Sequence, residues 1–182
     1  ILIGLVAALG VLGDQMGSLY INRPIILAPL VGLIVGNLEQ SIVIGASLEL
    51  FFMGAVSVGA YIPPDTIVGG VLATAFALST GRGIETAVTL AMPIALVSQA
   101  LGNLCNVFNS IILRWTDDYA AKGNYNGVAF THWLIGMITV VRRFLLVLFA
   151  YYLGGDAVGN LINAIPEFVT NGMAQLPDYY LH

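Results

Sequence analysis

The 182 residues are 58% hydrophobic and 9% charged, where about 25% charged is usual for a soluble domain, and they carry a net charge of −4. At a mean hydropathy of +0.91 such a chain cannot cover itself with polar surface, which excludes a soluble enzyme and points to an integral membrane protein. The charges are scattered without a basic block, which excludes nucleic acid as a partner.

Crossing a bilayer takes roughly 20 mostly apolar residues, because the hydrocarbon layer is about 30 Å thick and every backbone polar group must be paired internally. The first run, residues 1–20, is apolar as far as Asp14 and breaks at "YINRP". It has no basic flank or cleavage site of a signal peptide, and the chain is expected to start inside this segment. Residues 25–36 are too few to cross alone and read as half of a broken or hairpin-like element. Residues 41–61 are long enough to span and are stopped by "YIPPD", since paired prolines cannot continue a helix. Asp65 and Thr66 are good N-cap residues for a segment reaching Thr80, and "GRGIE" makes a turn. Residues 86–113 form a long apolar stretch in which Pro93 predicts a kink or break. A polar loop is expected at 114–127, then an apolar run at 130–153 interrupted by Arg142 and Arg143, and a last segment at 158–173.

These six or seven segments, more than half of them shorter than a clean crossing, predict an all-α membrane bundle with broken helices or re-entrant hairpins. Short hydrophobic segments interrupted by Gly and Pro are how transporters build binding sites at mid-depth. The 21 glycines suit close helix packing in lipid. Trp115, Tyr119, Trp133, Tyr151 and Tyr152 fall near segment ends, where interfacial aromatics belong. Arg82 and the pair Arg114 and Lys122 flank one apolar stretch, so a single crossing puts them on opposite sides and leaves the orientation open.

The polar residues inside the runs are the candidate site. Glu49 stands alone in "GASLELFFMG". An acid at the centre of a spanning helix costs about 2.5–3.5 kcal/mol on insertion scales, and its apolar neighbours only just offset it. Helical spacing puts Gly45, Glu49 and Met53 on one face, leaving space beside the carboxylate for a hydroxylated ligand. The alternative is a structural acid paired with Arg23 or Arg142. Gln99, Asn103, Asn106 and Ser110 form one helical stripe that reads mainly as helix-to-helix glue, with Gln99 kept as a ligand candidate. Asp14, Gln15 and Asp65 sit at segment breaks, Asp65 as either a cap or a contact. Arg142 and Arg143 either line a polar cavity, snorkel, or pair with an acid. His132 reads as interfacial, and with His182 forms no HExxH pair. Cys105 is a single cysteine, and no Cys/His cluster has metal-ligand spacing, so no metal, redox centre or other cofactor is expected.

Four stretches carry a resemblance: "NRPIILAPLVGLIVGN" (22–37), "GASLELFFMGAVSVGAYIPPD" (45–65), "ATAFALSTG" (73–81) and "NAIPEFVTNGM" (163–173). Together they resemble the enzyme IIC subunit of the mannose/fructose/sorbose family of the bacterial sugar phosphotransferase system. The resemblance covers most of the chain. It implies a multi-pass sugar-conducting subunit of the bacterial inner membrane that works with a IID membrane subunit, in a higher oligomer of IIC–IID units. It also implies cytoplasmic IIA and IIB proteins that carry out the phosphoryl transfer, so that this chain is a permease and not itself an enzyme. The family's LEL acid falls on Glu49 and its PPD acid on Asp65. After Gly172 the sequence departs from the family pattern, so residues 1–182 are expected to be a single membrane-embedded IIC domain that is incomplete at both ends.

The expected substrate is a hexose or amino sugar of the mannose, fructose, sorbose or N-acetylgalactosamine class, bound by Glu49, Asp65, Gln99, Asp14 and Gln15. Phe51, Phe52 or Tyr61 would provide an apolar wall. Two other readings compete: an ion- or proton-coupled transporter using Glu49 and Asp14 as carriers, and a non-conducting assembly subunit.

Overall fold

The computed structural model describes residues 1–164 except 18, 57 and 60, with side chains described as far as Gly154. Its helices, in chain order, are α1 (Leu2–Gln15), α2 (Pro24–Val35), α3 (Leu38–Phe51), α4 (Thr66–Thr80), α5 (Gly83–Ala121) and α6 (Tyr125–Ala164). Among the described residues two are long and apolar enough to cross a membrane, α5 and, within α6, Tyr125–Gly154.

α4 is apolar all round, and a helix of that kind belongs inside. Every residue from Ile67 to Ala77 is buried, and α1, α2, α3, α5 and α6 all contact it. Small residues set the distances. A Cβ at Gly69 would lie 2.8 Å from Ala95 Cβ and 2.9 Å from Ala91 O of α5, and one at Gly10 of α1 would meet both Leu27 of α2 and Ile67 of α4. α2 and α3 form the expected hairpin. Gly36, at φ +91°, ends α2, and the Asn37 side chain caps α3 by accepting from Gln40 N–H at 3.2 Å. The two helices close on each other through Gly32 against Ser41 and Gly45 against Ala28.

The helices depart from the expected segments at four points. Residues 41–61 do not form one spanning helix: α3 ends at Phe51, because the following stretch offers Gly54, Val56, Val58 and Gly59, poor helix formers, and closes instead into turns and an isolated Val58–Tyr61 bridge. Of the kink or break expected at Pro93, the break does not occur, and α5 runs on through it. Pro93 lies between Ala91 and Ala95, both buried against Gly69 of α4, and this packing carries the helix across the missing hydrogen bond. The polar loop at 114–127 shrinks to a turn at 122–124, since α5 continues to Ala121. Gly123 turns at φ +64°, Asn124 Oδ1 accepts from Gly127 N–H at 3.1 Å, and Gly127 lies against the Tyr119 ring. The runs at 130–153 and 158–173 are joined, as far as residue 164, in the single helix α6; residues 165–173 lie outside the described residues.

At 1.5 Å per residue, the 39 residues of α5 extend about 58 Å, whereas α1 to α4, of 12 to 15 residues, reach about 18–22 Å. The short helices therefore cover only part of the long hairpin. Gly69→Val should overpack the α4–α5 contact and cost about 1–3 kcal/mol. In thermal unfolding in detergent it should lower the midpoint, while Gly54→Ala, where a Cβ has nothing within 4 Å, should leave it unchanged.

Candidate functional site where helix ends gather

Connectivity brings the C-termini of α1 and α3 and the N-termini of α2 and α4 to one end of the short-helix bundle, while α5 and α6 run on past it. The opposite end holds the α2–α3 turn and the α4–α5 turn, where Gln40 lies beside Gly83. At the gathered end Asp65 fixes the level on α5, because its backbone N–H donates to Ala95 O at 3.3 Å and its side chain meets Ser98. Ser98 stands 12 residues from Thr86 and 15 from Leu113, the two ends of the apolar part of α5. The helix ends and the irregular segments between them are thus level with the middle of that apolar stretch, and inside hydrocarbon non-helical backbone is tolerated only against protein or a polar cavity.

Asp65 is the most connected polar group. Its side chain is 2% exposed. Oδ1 accepts from Val68 N–H at 3.3 Å, capping α4; Oδ2 accepts from Ser98 Oγ at 2.9 Å and from Arg143 Nε at 2.8 Å. A single carboxylate therefore ties α4, α5 and α6 together, with its charge favoured by the α4 N-terminus and the guanidinium.

Glu49 makes a second, separate node. Arg23 donates to its Oε1 through Nε and Nη2, both at 2.6 Å, and Ile25 N–H reaches Oε2 at 3.3 Å, so the acid caps α2 from the end of α3. Of the two partners the sequence offered, Arg23 is the one used. The space expected beside Glu49 at Gly45 is filled by Ala28, Pro24 and Pro29, which corrects the idea of a ligand-sized gap there. The carboxylate keeps 22% exposure. Phe52 is 1% exposed in the core and cannot be a wall of any site; Phe51 and Tyr61 are exposed.

Asp14 accepts from Asn22 Nδ2 at 3.4 Å, and Gln15 donates to Gly136 O of α6 at 3.3 Å. Gln15 also lines a mainly apolar cavity of about 560 Å³ with His132 and Trp133. Gln99 follows Ser98 and opens a polar cleft of about 210 Å³ between α5 and α6, whose walls include Asn106, Asn109, Thr139, Arg142 and Arg143. All five residues proposed from sequence lie at or next to the gathered helix ends, and Asp65 and Gln99 share one neighbourhood. Among the described residues no hydrogen bond or ion pair joins the Glu49 node to the Asp65 node. Sequence reasoning missed Ser98 altogether. It left Arg143 undecided, and the residue both pairs with an acid and lines the polar cleft.

Residues 1–177 match the family described as the PTS system sorbose-specific IIC component. The chain belongs to that family. The mannose-specific EIIC component of Escherichia coli (strain K12) is 28% identical over 174 residues, covering 95% of this chain; the chain spans 65% of that relative's length. A solved chain titled "Structure of membrane protein" superposes with a TM-score of 0.80 at 28% identity, covering 94% of this chain and 70% of that one. Another, from the "CryoEM Structure of Mannose Transporter ManYZ and Microcin E492 (MceA) complex", gives 0.78 at 28% identity, with 95% and 70% covered. The fold is therefore that of an all-α integral membrane IIC component, as the sequence led us to expect.

In this IIC chain Asp65→Asn should cost about 3–5 kcal/mol by stranding the Arg143 charge. Adding Arg143→Gln should recover part of that loss, because the two groups act as a pair. Thermal midpoints of the two single variants and the double variant in detergent check this; strictly additive losses would contradict it.

Proposed function

We propose that this chain is the sugar-conducting subunit of a phosphoenolpyruvate-dependent phosphotransferase system in a bacterial inner membrane. It takes a hexose or amino sugar of the mannose, fructose, sorbose or N-acetylgalactosamine class. Its partners are a IID membrane subunit, in a higher oligomer, and cytoplasmic IIA and IIB proteins, with IIB phosphorylating the sugar. The observation that carries this reading, beside the family itself, is the gathering of four helix ends and three acids, Asp14, Glu49 and Asp65, level with the middle of the apolar part of α5. That arrangement supplies polar groups to a neutral hydroxylated solute inside the membrane.

Within this reading residues 1–182 act as one membrane-embedded unit, and Glu49, Asp65, Gln99, Asp14 and Gln15 form the sugar-binding set. Glu49 and Gln99 touch the sugar. The Glu49 carboxylate, held in place by Arg23, accepts hydroxyl hydrogen bonds that are strengthened by its charge and by the low dielectric. The Gln99 amide both donates and accepts. Asp65 is a positioning residue that fixes the end of α4 against α5 and α6. Asp14 and Gln15 close the site from the end of α1. Phosphorylation on the cytoplasmic side turns the sugar into an anion that does not return, so no ion gradient is required.

The test is uptake and equilibrium binding of labelled hexoses and amino sugars by the chain together with its IID partner. Uptake should require phosphoenolpyruvate and survive an uncoupler. Glu49→Gln should weaken binding of the preferred sugar at least about tenfold, the loss of roughly one charge-assisted hydrogen bond, with the complex still assembled. Uptake that collapses with the proton or sodium gradient would favour the ion-coupled reading instead. Unchanged binding by Glu49→Gln would remove that residue from the site.

A further inference from the structure

The two arginines of α6 are neighbours in sequence but have different fates. Arg143 has Asp65. Arg142 has no acid within salt-bridge reach among the described residues, and its Nη1 is buried without a hydrogen-bond partner. Its guanidinium lies against the α5 backbone at Gly102, where a Cβ would come 3.0 Å from Nη1, so this glycine makes the slot that holds the charge in place. Counting Asp65, Arg142 and Arg143 together, one positive charge is left over beside the mid-depth of α5.

The face of α5 next to that slot is just as unusual. Asn103, Asn106 and Ser110 are exposed on a helix whose other exposed residues in the same turns, Leu104, Val107, Phe108 and Ile111, suit lipid. The amides pair partly with one another, Gln99 Nε2 with Asn103 Oδ1 at 3.0 Å and Asn109 Nδ2 with Asn106 Oδ1 at 3.4 Å, which leaves donors and acceptors unused. Hydrocarbon cannot satisfy them. From Gln99 to Ser110 the stripe runs three turns, about 16 Å, far longer than a single sugar ring and matched to the side of a helix.

We propose that the groove between α5 and α6, with Arg142 at its inner end, is the docking socket for a membrane-crossing helix of another polypeptide that places one carboxylate at mid-depth. The carboxylate neutralises Arg142, and small or amide residues on the same helix pair with Asn103, Asn106 and Ser110. Charge complementarity selects this occupant: ionisable groups within the membrane pair with one another, and the groove supplies the cation. The proposal rests on the reading that a IID-type subunit is the partner.

Cys105, the single cysteine in the sequence, lines the same groove and serves as a reporter. The chain is expressed in membranes alone and together with the IID-type subunit, and Cys105 is labelled with anionic and cationic methanethiosulfonates. In the chain alone the anionic reagent should react faster, and Arg142→Gln should remove that preference. With the subunit bound, labelling by both reagents should fall sharply. Arg142→Gln should restore labelling and weaken co-purification at least about thirtyfold, the loss expected when one partner of a buried charge pair is truncated, and Arg142→Lys should be milder. Cys105 already blocked in the chain alone, or unchanged labelling while the subunit co-purifies, would each overturn the socket and leave the partner reading standing. Failure of the subunit to co-purify with the native chain would overturn both.

Discussion

The arrangement depends on one buried carboxylate. Asp65 caps the N-terminus of α4, accepts from Ser98 on α5 and holds Arg143 on α6, so the central helix is pinned to both long helices at one level. Remove that charge and α4 keeps its apolar contacts and the Asp65 N–H bond to Ala95 O, but loses its side-chain ties to Ser98 and Arg143. The cost of an ionised acid at this depth is met by three different donors, which is the condition under which buried charge is tolerated. Below this level α4 is sealed by small-residue contacts at Gly69 and Gly70. A polar layer between two apolar ones is the physical basis for a solute site within the membrane.

Glu49 performs a parallel task on a smaller scale. It joins the end of α3 to the start of α2 and neutralises Arg23, which as the residue before Pro24 is held in extended backbone at the mouth of the helix. The α2–α3 hairpin is thereby tied at both ends, by Gly36 and Asn37 at its turn and by an ion pair at its open end. Two tied units, the hairpin and the α4–α5–α6 node, meet through apolar and small-residue contacts without a hydrogen bond or ion pair between their acids among the described residues.

Much of this was legible in the sequence. The odd acid in an apolar run, the short segment at 25–36, the cap at Asp65 and the family resemblance all follow from local composition, spacing or motif. What was hidden was tertiary. Glu49 had two possible arginine partners, and only the hairpin decides between them. Pro93 predicts a kink or break by local rules, and the break does not occur because α4 packing at Gly69 carries the helix through. The polar stretch after Leu113 looks like a loop because it is charged, yet Arg114, Ala120 and Ala121 suit a helix that has left the apolar layer. Residues 41–61 look like a span because hydropathy ignores helix propensity, which the Gly and Val residues after Phe51 lack. Ser98 carried no signal of its own, since a lone serine in a long apolar helix is ordinary until Asp65 is placed beside it.

The central claim is that the sugar lies at mid-depth among the gathered helix ends. The most direct measurement is a cryo-EM structure of the native chain with its IID partner in lipid nanodiscs, with the preferred hexose present. The account predicts density for one sugar ring within hydrogen-bond distance of Glu49 or Gln99, at the level of the Asp65–Ser98–Arg143 node. A sugar bound only at the membrane surface or wholly within the partner, with Glu49 and Gln99 contacting protein alone, would contradict it.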